Sequence, residues 1–147
     1  MSFSRPERGF VDFLSRSLAL LRSERPDVFA RFCASLSPRV VRLCVDEEAI
    51  ALAFSGRDVR PIAASTAHVD VASDRGTILA VLAAELTLHE AVMADRLTMR
   101  GSCGDLQAFH DGLLLYLHGA VRAPSFPALL SEFRQEPTAK VVAPNCG

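Results

Sequence analysis

Apolar side chains recur at helical spacing through the first third of the chain. Phe10, Leu14, Leu18 and Leu21 share one stripe, with Arg8, Asp12, Arg16 and Arg22 mostly opposite, which predicts an amphipathic helix. After a break at residues 23–26, Val28, Phe29, Phe32, Cys33 and Leu36 form a second stripe that ends at Ser37-Pro38, with Pro26 suited to the first helical turn. The period then changes from helical to two. Val41, Leu43 and Val45 alternate with Val40, Arg42 and Cys44, and Asp46-Glu47 marks a turn. Ile50, Leu52 and Phe54 continue the alternation to a second turn at Ser55-Gly56. A weaker strand covers 58–63, where Pro61 points to a sheet edge or a bulge. His68 to Val71 predicts a fourth strand with Val69 and Val71 facing inward.

The second half returns to helices. Ser73-Asp74 offers an N-cap for a helix over 77–85, whose Ile78, Leu79, Val81, Leu82 and Leu86 make a wide apolar face. A short helical turn over 88–94 precedes a compact strand over 96–100, closed by Gly101. A helix then runs from Asp105 to Leu117, with His118-Gly119 as its C-cap. Leu106, Phe109, Leu113 and Leu117 form one face of this helix, and Leu114, Leu115 and Tyr116 make it apolar nearly all round. Such a helix is either sandwiched in a core or lines a cavity on one side. A last helix within 123–135 carries Phe126, Leu129, Leu130 and Phe133, and no periodicity survives beyond Glu136. The expected organisation is an N-terminal helical segment over 1–37 packing on a core domain over 38–135, with a mobile tail over 136–147. Strands grouped between helices predict an α+β fold, with one sheet of five mostly antiparallel strands covered by helices on one face.

Composition narrows the function. At 147 residues with half of them hydrophobic, the chain builds one sizeable core rather than remaining disordered. Sixteen Lys+Arg against seventeen Asp+Glu leave a net charge of −1, so no positive field recruits nucleic acid or anionic membrane. The absence of Trp and the single Tyr argue further against single-strand nucleic-acid binding. The longest unbroken apolar run, 78–84, is far short of the roughly 20 residues that span a bilayer. Asp12 and Arg16 interrupt the stretch that would form the apolar core of a secretion signal, so the expected location is cytoplasmic with free thiols. Cys33, Cys44, Cys103 and Cys146 lack metal-site spacing, and His110 and His118, about 12 Å apart along a helix, cannot share an ion. No serine has a nucleophile-elbow context and no glycine-rich phosphate loop is present, so neither an enzyme nor a cofactor is expected.

From Ala67 onward the order of elements resembles the sterol carrier protein-2 (SCP2) lipid-transfer family, in the form of its bacterial stand-alone members. Ala67-His68-Val69-Asp70-Val71-Ala72-Ser73-Asp74 matches the family's strand and cap, and Ile78 to Leu82 its apolar helix. Glu90-Ala91-Val92-Met93 matches the short turn, and Arg96 to Gly101 the strand that follows. The resemblance covers about 40–117. It departs at Ala83-Ala84-Glu85, where the family has Thr-Gly, at Asp95, where it has Gly, and at the longer segment 102–104. It implies a non-catalytic carrier of lipids or other apolar small molecules of the sterol, fatty acyl or isoprenoid class, held in an apolar tunnel. The expected tunnel wall is Leu79, Leu82, Leu86, Val92, Met93, Leu97, Met99, Leu106, Phe109, Leu113 and Leu117. Phe126, Leu129, Leu130 and Phe133 are expected to form a lid or partner surface rather than core. The alternative is an accessory protein docking on biosynthetic enzymes, such as a ubiquinone-biosynthesis factor, or a dimerisation module. A homodimer, a biosynthetic enzyme partner and transient membrane contact are all compatible with the resemblance.

Overall fold

The structure, a computed structural model, describes residues 9–64 and 66–135. The expected tail over 136–147 lies outside them. Two helices, α1 (Phe10–Glu24) and α2 (Pro26–Leu36), lead into the strands β1 (Val40–Val45), β2 (Glu48–Ser55), β3 (Asp58–Ile62) and β4 (Val69–Ser73). Helices α3 (Arg75–Leu82) and α4 (Leu88–Met93), strand β5 (Thr98–Arg100) and helices α5 (Cys103–Arg122) and α6 (Phe126–Gln135) complete the chain. The sheet order is β3-β2-β1-β4-β5, with β1 and β4 parallel and every other pair antiparallel. The mostly antiparallel α+β architecture is therefore present, and Pro61 lies on the edge strand β3, where a missing N–H donor is tolerated.

Pleating sorts the strands into two faces. Val41, Leu52 and Val69 stand in register on one face, and Arg42, Ala51 and Asp70 on the other. The first face is buried under the helices. The second carries the ion pair between Arg42 and Asp70, at 2.6 Å. Helix α1 is seated on the sheet by Glu48 of β2, whose carboxylate accepts from the backbone N–H groups of Phe10 (2.8 Å) and Val11 (3.0 Å). These are orphan donors of a helix N-terminus, satisfied here by a residue remote in sequence. A Cβ on Gly9 would collide with that carboxylate, so a larger residue there would make the Glu48 side chain shift.

Several boundaries differ from the sequence expectation, α3 and α5 each beginning two residues earlier, and three of the differences have a local reason. Helix α3 stops at Leu82, because the N–H of Glu85 donates to the Ala80 carbonyl and that of Ala84 to Val81, closing a Schellman motif. Strand β5 begins only at Thr98, because the N–H groups of Arg96 and Leu97 are already bonded to the Ala91 carbonyl at the end of α4. Helix α5 does not end at His118-Gly119 but continues to Arg122. Gly112 and Gly119, seven residues apart on one face of α5, sit where α2 crosses it. A Cβ at Gly112 would stand 2.8 Å from Leu36, and one at Gly119 would stand 2.8 Å from Val28. Gly119 is a packing residue, not a cap.

Helix α6 brings the largest correction. Phe126, Leu129 and Phe133 are buried in the common core, Phe133 to 1% exposure, and Leu130 is packed half-buried against it. The Phe133 ring stacks on Phe13 of α1 at 4.3 Å, and Phe126 meets Phe13 edge-on at 6.2 Å. The stripe is therefore core rather than an open partner surface. Arg75 of α3 lies 4.6 Å over the Phe133 ring and donates to the Phe133 carbonyl, joining α3 to α6.

Candidate functional site: an apolar cavity

Between the buried sheet face and the helices lies a cavity of about 120 Å³. Each wall follows from an element already described. The sheet contributes Val41, Leu43, Leu52, Phe54 and Val71 from its inward face. Helix α1 contributes its stripe of Phe10, Leu14 and Leu18 together with Phe13, and α2 adds Phe32 and Leu36. Phe109, Leu113, Tyr116 and Leu117 come from α5, while Thr77, Ile78, Val81 and Leu82 of α3, with Leu88 and Leu97, close the remaining side.

Polar groups at the wall are satisfied by one another. The Tyr116 hydroxyl lies 2.8 Å from that of Ser17, which donates to the Leu14 carbonyl. Burial pushes the Tyr116 phenol up to about 12, against the lowering effect of the Ser17 hydrogen bond, so the ring stays neutral. The Thr77 hydroxyl donates to Asp74 Oδ2 at 3.0 Å and accepts from Arg96 Nε at 3.1 Å. Asp74 also caps α3 by accepting from the Thr77 N–H. The hydroxyls are thus engaged away from the void, and its surface is almost wholly hydrocarbon. Engineered voids of this chemistry in other proteins stay dry and admit small apolar molecules.

The structure brings together only part of the expected wall. Leu82, Leu97, Phe109, Leu113 and Leu117 line the cavity. Leu79, Leu86, Val92, Met99 and Leu106 are half-buried against the core but do not reach it. Met93, the last residue of the six-residue α4, is 71% exposed, because the helix turns Ala91 inward in its place. What sequence reasoning missed is the contribution of α1 and α2. Their apolar stripes signalled burial, but only the tertiary packing shows that the stripes face a void. Half-buried Leu18, Val81, Leu82, Leu88, Leu113 and Leu117 carry the cavity lining toward the surface.

No family model matches the chain, and no curated protein matches it by sequence. Solved structures do. A protein described as "UbiJ-SCP2 Ubiquinone synthesis protein" is 20% identical and superposes with a TM-score of 0.54 over 78% of this chain and 98% of its own. This chain has the sterol carrier protein-2 fold. The sterol carrier protein domain 2 of Helicoverpa armigera is 11% identical, with a TM-score of 0.53 over 83% of this chain and 97% of its own. Sterol carrier protein 2 of Yarrowia lipolytica is 15% identical, with a TM-score of 0.51 over 78% and 97%. These likenesses extend the SCP2 resemblance beyond residues 40–117. Among the described residues no single helix is long and apolar enough to cross a membrane.

Proposed function

We propose that this SCP2-fold chain is a non-catalytic carrier that takes up lipids or similarly apolar small molecules, of the sterol, fatty acyl or isoprenoid class, and hands them on unchanged. The observation that carries this reading is the cavity: almost entirely hydrocarbon, walled by both layers of the fold, and with no free nucleophile or acid–base pair among its described lining residues. Its present volume is close to that of an engineered void that admits benzene, roughly 150 Å³. Uptake of a whole lipid therefore requires the wall to give way. The compliant wall is α3 and α4, where only Thr77 and Ala91 are fully buried. A tunnel through the fold is the state this opening would produce.

Titration with a fluorescent long-chain fatty acid is expected to give saturable binding at micromolar strength, and organic extraction with mass spectrometry is expected to return it unmodified. Leu113→Asp, which puts a carboxylate into the wall, is expected to weaken binding at least about tenfold, whereas Leu114→Asp on the exposed side leaves it intact. A folded protein that shows no saturable binding refutes the carrier reading. In that case the accessory role gains ground. Its support is the fold shared with a protein described as a ubiquinone synthesis protein, along nearly all of that protein's length.

A further inference from the structure

An open sheet has two edges, each a row of backbone groups able to pair with another chain. In this fold they are β5 and β3. Strand β5 has three residues, too few to template much. Strand β3 is longer, and it borders a recess that would favour an added strand. A pocket of about 200 Å³, with Leu14, Leu18, Phe29, Ile50 and Val59 in its lining, lies between α1 and β3. A strand laid beside β3 would turn every second side chain toward that recess. The side-chain half of a strand-addition site is therefore present.

The main-chain half is withheld. In an antiparallel pair, successive residues turn their N–H and C=O groups alternately toward the partner strand and away from it. The N–H of Phe54 donates to the Arg39 carbonyl at 3.0 Å, so Phe54 of β2 faces β1. Val59, opposite Phe54, consequently turns its own backbone groups to the free edge, and so does Pro61, opposite Leu52. These are the outward positions of β3, and neither offers a free donor. Pro61 has no N–H. The Val59 N–H donates to Asp58 Oδ1 at 2.9 Å, a local bond that competes with strand pairing. The same oxygen accepts from Arg22 of α1 at 2.6 Å, which orients the carboxylate.

We propose that Asp58, oriented by Arg22, and Pro61 together close the β3 edge against a second copy of this chain. The edge keeps the outward carbonyls of Val59 and Pro61 but has no donor to give. Two such edges brought together about a two-fold axis would set carbonyl against carbonyl, with no backbone bond between them. The recess beside β3 can then stay apolar without recruiting a neighbouring strand. This inference is independent of what the larger cavity carries.

The test restores the donors in the full chain and follows self-association by sedimentation velocity across a range of concentrations. Asp58→Ala frees the Val59 N–H, and Pro61→Val returns a second donor. The double variant is expected to associate at concentrations at least about tenfold lower than the unmodified protein, since each restored N–H adds a bond from each copy. Asp58→Asn, which keeps an oxygen for the Val59 N–H, should behave as the unmodified protein does. Hydrogen exchange locates the contact: the amides of residues 59 and 61 in the double variant should gain protection as its concentration rises. A folded double variant whose association is unchanged overturns the proposal. So does equal association of Asp58→Asn and Asp58→Ala, which would make the effect one of charge, or association that leaves the residue 59 amide unprotected. Should circular dichroism show the double variant unfolded, Asp58→Ala alone decides, its side chain being exposed, with an expected shift of at least about threefold.

Discussion

Two helix ends beside the cavity use a backbone conformation normally left to glycine, and one of them should be improvable by a single substitution. Helices α3 and α4 both close with Schellman motifs, and the residues at the left-handed position are Ala84 (φ 61°) and Asp95 (φ 60°). An alanine there costs roughly 1–2 kcal/mol, whereas glycine adopts the conformation freely but loses about 0.5–1 kcal/mol more chain entropy on folding. Ala84 is exposed, so no packing is lost. Ala84→Gly should therefore stabilise the protein by about 0.5–1 kcal/mol, a rise of about 2–3 °C in Tm for a chain of this size. Asp95→Gly should gain less, since aspartate tolerates the left-handed region better than alanine. The control is the adjacent residue: Ala83 has φ −87°, so Ala83→Gly should carry only the entropic penalty and destabilise by about 0.5–1 kcal/mol. Urea unfolding followed by circular dichroism measures all three, the midpoint shifting at constant slope. An Ala84→Gly variant as destabilised as Ala83→Gly would refute the strain argument.

Further outcomes follow from the helix crossing and from the buried and paired groups. Gly119→Ala should destabilise, since overpacking of about 1–3 kcal/mol against Val28 and Leu21 outweighs a helix-propensity gain of up to about 1 kcal/mol; Gly104→Ala, with open space around it, should stabilise, and equal unfolding midpoints would contradict the crossing. Ser17→Ala should cost about 1–3 kcal/mol by stranding the Tyr116 hydroxyl, more than Tyr116→Phe, which leaves Ser17 its bond to Leu14. Because the folded Tyr116 is raised to about 12 and Cys33, buried likewise, to about 11, the fold holds protons that the unfolded chain releases. That stability is complete below the ordinary values and lost as pH rises toward 12, so Tyr116→Phe should flatten the alkaline limb of an unfolding-versus-pH curve. Asp105 is held below the usual carboxylate range by the hydrogen bond from Arg39, helped by Ser102. Its contribution is present above that range and lost as pH falls below about 4, so Asp105→Asn should flatten the acid limb.

The elements were legible because local chemistry decides most of them. The turn at Asp46-Glu47, the cap at Asp74 and the inward Val69 and Val71 are each set by their own few residues. What was not legible depends on partners remote in the chain. Gly119 after a run of apolar residues has the look of a cap, and only the approach of Val28 and Leu21 makes it an interior helical position. An amphipathic stripe such as Phe126, Leu129 and Phe133 is the same whether it covers the protein's own core or a partner. The ring of Phe13 decides between the two. The cavity was the hardest to foresee, since a stripe reports that a face is buried but not whether the opposite wall reaches it. For that reason the α1 and α2 side of the cavity was missed, while Phe109, Leu113 and Leu117, expected at a tunnel wall, line the cavity.

An unfilled space of about 120 Å³ works against the fold. At roughly 24 cal/mol per Å³ it costs about 3 kcal/mol, a sizeable share of the 5–15 kcal/mol that holds a typical domain together. Its persistence has a structural cause in the aromatic side chains around it. Phe32 meets Phe54 edge-on at 5.4 Å and Tyr116 at 5.9 Å, and Phe13 is stacked on Phe133, so these rings are braced by other rings and cannot swing inward. The opposite side is made of Ile78, Val81, Leu82 and Leu88, which are half-buried aliphatic side chains. An aromatic frame facing an aliphatic wall keeps the space open. A guest that fills it recovers what the void costs, whatever the outline of its hydrocarbon. Such a cavity separates one chain from another only weakly, since a methylene more or less is worth about 1–3 kcal/mol even in a well-fitted pocket.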